Sequence, residues 1–164
     1  MILRLLEPTD SLCDLTELIH GAYKELGDQG WNMTGVDQGV DVTRERIEEA
    51  ECWVAIDTTR IVGTILVRPP NGTGNCPEFS KAGVAVINQL AVEPSLQGTG
   101  VGQSLIAQAE RRAKEMGATE IALDTPEPAE FLVTWYQNQG YKVMGAVQWP
   151  GKSYRSAILA KSLL

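Results

Sequence analysis

Residues 84–116 read VAVINQLAVEPSLQGTGVGQSLIAQAERRAKEM. An apolar, β-rich run passes through a polar turn holding Gly98, Gly100 and Gly102. It continues into apolar residues at helical spacing: Val101, Leu105, Ile106, Ala109, Ala113 and Met116. Glycines give up the most backbone freedom on folding, so three of them where a strand hands over to a helix need a reason. The first N–H groups of a helix have no partner within it and sit at the positive end of its dipole. A turn without side chains lets an anion reach them. The stretch therefore predicts a pyrophosphate cradle that needs no lysine. The plain alternative is a tight turn with close helix–sheet packing. A P-loop is excluded, because no Gly-Lys-Ser/Thr stands here. A dinucleotide GxGxxG is excluded too, because Gln103 occupies the last glycine's place.

The rest of the chain supplies partners for that unit. Residues 2–6 read as a short strand. Ser11 offers cap chemistry for a helix from Leu12, with Gly27 as the expected stop. Residues 27–42 read as irregular, and a short helix is expected over about 43–50. CWVAID and IVGTILVR form a hairpin pattern. Residues 69–83 form a long loop, the kind that is usually functional or mobile. Strands are expected at 120–124, 141–149 and 154–163, with a helix at 129–139 stopped by Gly140. This order predicts one α/β domain over 1–164, a mixed sheet with helices on its faces. The helix at 101–116 would link two parallel strands by a right-handed crossover.

Charge and cysteine content narrow the partners. A formal net charge of −7 argues against nucleic acid, which needs a basic face. Three widely spaced cysteines, Cys13, Cys52 and Cys76, suggest neither a disulfide framework nor a metal site, and fit a reduced, cytoplasmic setting. The opening MILRLLEPTDSL has too short an apolar run for a secretory leader, and no stretch reaches membrane-spanning length.

Gln97-x-x-Gly100-x-Gly102 resembles the acyl-CoA-binding motif of the GNAT N-acetyltransferases, [QR]-x-x-G-x-[GA]. The flanking LAVEPSLQGTGVG is similar too. ECWVAIDTTRIVGTILV resembles the family's second and third strands, and WYQNQGY its [FW]-Y-x-x-x-G-[FY] segment. The resemblance covers nearly the whole chain and is weakest at residues 27–50. It implies a central, mostly antiparallel twisted sheet with one splayed parallel pair, flanked by about four helices. It also implies acetyl-CoA as co-substrate, no metal, and direct transfer to an amine. The pyrophosphate would lie on Gln97, Gly98, Thr99, Gly100, Val101, Gly102 and Gln103. The pantetheine arm would run beside Leu90, Ala91 and Val92. A backbone N–H near Leu90 would steady the oxyanion. Tyr136 would protonate the leaving thiolate, as a neutral phenol can. Taken alone, Tyr136 also reads as a core aromatic, since it shares a helical face with Ala129, Leu132 and Val133.

The general base is the gap in the match. Val86-Ile87-Asn88-Gln89 holds neither acid nor histidine, where many relatives carry Glu or His. Glu93 and Glu78 are weak substitutes, and water-mediated deprotonation is simpler. The lone His20 and the cysteines are set aside. The missing base motivates a second reading, a non-catalytic acyl-CoA-binding module. Within the resemblance, residues 23–37 would help to build the acceptor pocket, with Tyr23, Trp31 and Asn32 as candidate lining. The acceptor would be a small-molecule amine or a peptide amine. Homodimers are common in the family, though no residue here demands one.

Overall fold

The computed structural model describes residues 1–72 and 74–164; Thr73, in the long loop, lies outside the described residues. Among the described residues, seven strands form one sheet: β1 (Ile2–Leu5), β2 (Glu51–Asp57), β3 (Arg60–Arg68), β4 (Val84–Val92), β5 (Glu120–Pro126), β6 (Lys142–Val147) and β7 (Ser156–Ser162). Their spatial order is β1-β2-β3-β4-β5-β7-β6. Every neighbouring pair is antiparallel except β4 and β5. The helices are α1 (Leu12–Asp28), α2 (Thr34–Asp37), α3 (Val40–Glu48), α4 (Val101–Glu115) and α5 (Glu130–Asn138), with a 3-10 turn at Pro94–Leu96. The mixed α/β sheet with a single parallel pair matches the expected fold class.

Alternation along the strands decides which helix covers which face. Ile65 and Val67 of β3 join Leu105, Ile106 and Ala109 of α4 in one buried cluster. Leu66, between them, joins Leu15 and Ile19 of α1 on the other face. Gly63 lets α4 lie close on β3, because a Cβ there would meet Leu105 at 2.9 Å.

The stretch after α1 differs from expectation. Ser11 caps α1 as predicted, its hydroxyl accepting from the Asp14 N–H at 3.1 Å. Gly27 does not stop the helix. It lies inside α1, where a Cβ would strike a Val36 methyl at 2.7 Å, so it serves the contact with α2. The turn comes at Gly30, whose φ of 92° is a left-handed value. The one-turn helix α2 falls within a stretch that reads as irregular in the sequence, and α3 begins three residues early.

The described part of the loop at 69–83 folds back on the sheet. Cys76 and Phe79 are buried with Val84, Val86 and Ala122, and Phe79 stacks on Trp149 at 6.4 Å.

Candidate active site

The parallel pair parts midway. β4 and β5 are in register only at Val84–Glu120, Ala85–Ile121 and Val86–Ala122, although β4 runs on to Val92 and β5 to Pro126. The parted halves leave a wedge in the sheet.

A bulge shapes the β4 side of the wedge. On β3, Thr64 faces Ala91 and Leu66 faces Asn88, so Gln89 and Leu90 together oppose a single β3 residue. Gln89 has a φ of 56°, uncommon for a residue with a side chain, and it is buried. Leu90 is thereby released from the β3 ladder, and its carbonyl accepts the Tyr23 hydroxyl at 2.8 Å.

The glycine turn stands at the far end of β4. Gly98 and Gly100 have φ of 79° and 98°, and a Cβ on either would meet no protein atom within 4 Å. Gly100 is the N-cap of α4 and no side chain caps that end. Among the described residues, the N–H groups of Gly100, Val101, Gly102 and Gln103 donate to no protein acceptor; the first helical bond is Ser104 N–H to Gly100 C=O at 3.0 Å. Four adjacent free donors at a helix start fit a pyrophosphate. Gly102 also serves packing, since the space its Cβ would take is bounded by the Trp135 ring at 3.4 Å. The packing role weighed for the glycines thus applies to Gly102, and not to Gly98 or Gly100. Gln97 turns back, its amide donating to the Val92 carbonyl at 3.2 Å, and so ties the turn to the end of β4.

Tyr136 lies on the α4 side of the sheet, within the field of Tyr23 and Asp124. It packs on the α4 cluster and edge-on to Trp135 and Tyr141. Gly140, with φ 97°, closes α5; the Tyr141 N–H returns to the Tyr136 carbonyl at 3.1 Å and sends Tyr141 into the core. The Tyr136 hydroxyl has no hydrogen-bond partner among the described residues. Burial drives its pKa far above the phenol range, and Tyr23 and Asp124 add to the shift.

Asp124 faces Tyr136 from the other side, and sequence reasoning missed it. Ile121 and Leu123 point to the α4 cluster, so Ala122 and Asp124 point away from it. Asp124 Oδ2 accepts the Trp149 indole N–H at 3.0 Å. Burial raises the Asp124 pKa above the ordinary carboxylate range, against Trp149, Ser156 and Arg46, which pull it down. The available signal was the acid closing EIALD, an otherwise apolar strand.

Two basic residues complete this face. Arg46 of α3 donates to Gln89 Oε1 at 3.3 Å. Lys152 donates to the Asn32 carbonyl at 2.9 Å and to Thr34 Oγ1 at 3.1 Å. Tyr154 stands near Asp124 and Arg46, its phenol pushed up to about 12, chiefly by burial.

Of the predicted lining residues, Tyr23 is at the wedge. Asn32 instead spends its side chain on a clasp: Nδ2 donates to the Gly151 carbonyl at 2.9 Å and Oδ1 accepts the Ser153 N–H at 2.7 Å. Trp31 is half-buried in the same segment. Neither weak base candidate is free. Glu93 pairs with Arg60 at 3.2 Å, and Glu78 is buried against Lys81.

A parted parallel pair with free helix N–H groups at its end defines the acyl-CoA N-acyltransferase class of fold. The chain belongs to the GNAT acetyltransferase family, whose model matches residues 14–141, and is an acetyl-CoA-dependent acetyltransferase. It is similar to the S-(2-succino)cysteine N-acetyltransferase of Bacillus subtilis (strain 168), 27% identical over 151 residues, covering 91% of this chain and 88% of the relative. Its fold is similar to an aminoglycoside 6'-N-acetyltransferase complexed with coenzyme A, at TM-score 0.70 and 16% identity over 100% and 98% of the two chains. It is also similar to the ribosomal-protein-S18-alanine N-acetyltransferase of Escherichia coli, at TM-score 0.74 and 12% identity over 99% and 93%.

Proposed function

We propose that the chain transfers the acetyl group of acetyl-CoA to a primary amine of a small molecule, by direct attack within a ternary complex. The observation that carries this reading is that Tyr136 lies within the field of both Asp124 and Tyr23, whose hydroxyl holds the released Leu90 carbonyl. Bound acetyl-CoA supplies the thioester carbonyl. The turn from Gln97 to Gln103 holds the pyrophosphate on its free N–H groups. Leu90, Ala91 and Val92 run beside the pantetheine arm, and the Leu90 N–H donates to the developing oxyanion. The Tyr136 hydroxyl gives its proton to the departing sulfur, and the proton that the acylated nitrogen sheds on becoming an amide restores it. Asp124 receives the incoming ammonium and takes a proton from it; its raised pKa makes it a better base than an ordinary carboxylate.

A small acceptor is favoured because the Asn32–Ser153 clasp joins the 30–34 segment to the 151–153 turn on the acceptor side. One similar protein is named for a cysteine derivative, which supports the same reading. The reading of a binding module without turnover rests on a missing base, and Asp124 is an acid able to serve as one.

The test is thermal unfolding with acetyl-CoA, CoA, ATP and NAD in parallel, followed by thiol release with an amine panel. A ligand at a hundred times its dissociation constant adds about 2.7 kcal/mol. Stabilisation by the CoA compounds alone, with turnover that Tyr136→Phe removes, supports the reading. Stabilisation without turnover of any amine leaves a binding module.

A further inference from the structure

The chain has 14 lysines and arginines against 21 acids. Nine of the fourteen make ion pairs among the described residues. Within the same residues, Arg44, Arg46, Lys114, Lys142 and Lys152 make none. Arg44, Lys114 and Lys142 are exposed, where water solvates the charge. Arg46 and Lys152 are partly buried, and each lies within the other's field and that of Asp124.

Holding two like charges partly out of water without a carboxylate partner is unfavourable. Burial, followed by the Arg46 charge, lowers the pKa of Lys152, against Asp37 and Asp124. Asp37 lies beyond ion-pair distance and is exposed. Among the described residues one N–H of Arg46 is committed, to Gln89 Oε1, which leaves most of its planar fork of donors available. Lys152 is held in place by its two oxygen partners in the 32–34 segment. With Asp124 on the same face, the charges are arranged as a cationic pair beside an anion.

We infer that the acceptor is a zwitterionic or anionic amine, an amino acid type of compound whose carboxylate is bound by Arg46 and Lys152 while its amine meets Asp124. The inference rests on the acetyl-transfer reading above. It separates the acceptor from polyamines and aminoglycosides, which bring further positive charge to two cations and no carboxylate. A bidentate Arg–carboxylate contact would also fix the distance from the acid group to the reacting amine.

The experiment measures thiol release with L-methionine, L-aspartate and L-cysteine thioethers, each against its α-carboxamide, with spermidine and kanamycin as cationic probes. At least one free acid should exceed its amide by about tenfold or more in kcat/KM. Arg46→Gln and Lys152→Gln should each move that ratio toward one, mainly through KM. Arg46→Lys should keep part of the preference. Equal rates on acid and amide, a better rate on the polycations, or a ratio unmoved by both variants would overturn the proposal while leaving acetyl transfer intact. Succinate, which has no amine, gives a readout free of turnover. It should raise the melting temperature of the CoA complex, and less so for the Arg46→Gln, Lys152→Gln pair. No shift with succinate, together with no turnover of any acid, also overturns it. Loss of CoA stabilisation itself would mark failure of the underlying acetyltransferase reading.

Discussion

The Tyr23 hydroxyl donates to the Leu90 carbonyl at 2.8 Å, joining α1 to the bulge of β4 across 67 positions of sequence. The contact holds the strand segment that the resemblance implies as the oxyanion donor. It also accounts for Tyr23 standing at the wedge without any direct part in the chemistry. Removing the hydroxyl leaves a carbonyl unpaired in a partly buried place. Tyr23→Phe should therefore lower stability by about 1–2 kcal/mol and reduce kcat more than CoA affinity. Urea unfolding and steady-state kinetics check this; unchanged stability would sink it.

Tyr136→Phe should keep CoA affinity within about twofold and lower kcat by about a hundredfold, the usual scale of a lost general acid. Because the phenol is pushed far above its ordinary range, the parent rate should show no loss attributable to this group as pH rises past 10. A fall in kcat with an apparent pKa near 10 that disappears in the variant would show that the phenol is not so shifted.

Asp124→Asn should separate stability from activity. The folded-state pKa of Asp124 is raised, so ionising it in the fold costs stability. The parent carries no such cost below the unfolded-state pKa, and acquires it as pH rises through the folded value. The variant should be the more stable protein at neutral pH, and the difference should shrink as the solution is acidified. Turnover should fall by about a hundredfold or more. Paired melting curves from pH 4 to 8 decide the first point; a variant less stable than the parent at pH 7 refutes it.

Gly100→Ala adds a methyl group that meets no protein atom, but at a φ of 98° it strains the backbone. The cost should be about 1–2 kcal/mol of stability, with CoA affinity falling about tenfold as the free N–H groups shift. Isothermal titration reads the affinity. Unaltered CoA binding would separate the turn from the phosphate.

Glu120 and Glu78 form a carboxyl pair under the long loop. The neighbouring Glu78 carboxyl, then burial, pushes Glu120 up to about 7. Glu78 is held below the usual range by Glu120 and Lys81, although burial acts the other way. A raised folded pKa means stability that is full in acid and is lost as pH rises toward 7. Glu120→Gln should flatten the stability profile between about pH 5 and 7, as read by denaturant midpoints. A slope identical to that of the parent would show that no proton is shared.

Some of this molecule was settled by local chemistry and is legible in the chain. Gly98 and Gly100 at a helix start announce free N–H groups, because backbone conformation and orphan donors depend on neighbours in sequence. Gly140, within WYQNQGY, closes α5 just past Tyr136 for the same reason. The apolar pattern placed the seven strands along the chain, and the spatial order of the sheet came from the fold. Other features belong to the tertiary structure alone. The release of Leu90 needs β3 to mismatch β4, and the burial of Asp124 needs Trp149 and β7 beside it. The unpaired state of Arg46 and Lys152 is a fact about where the folded chain puts its acids, since among the described residues none comes within ion-pair distance of either. Gly27 misleads for the same cause: its small size serves Val36 on another helix and not the end of its own. Burial, pairing and field strength are sums over residues far apart in sequence, and only the folded chain performs those sums.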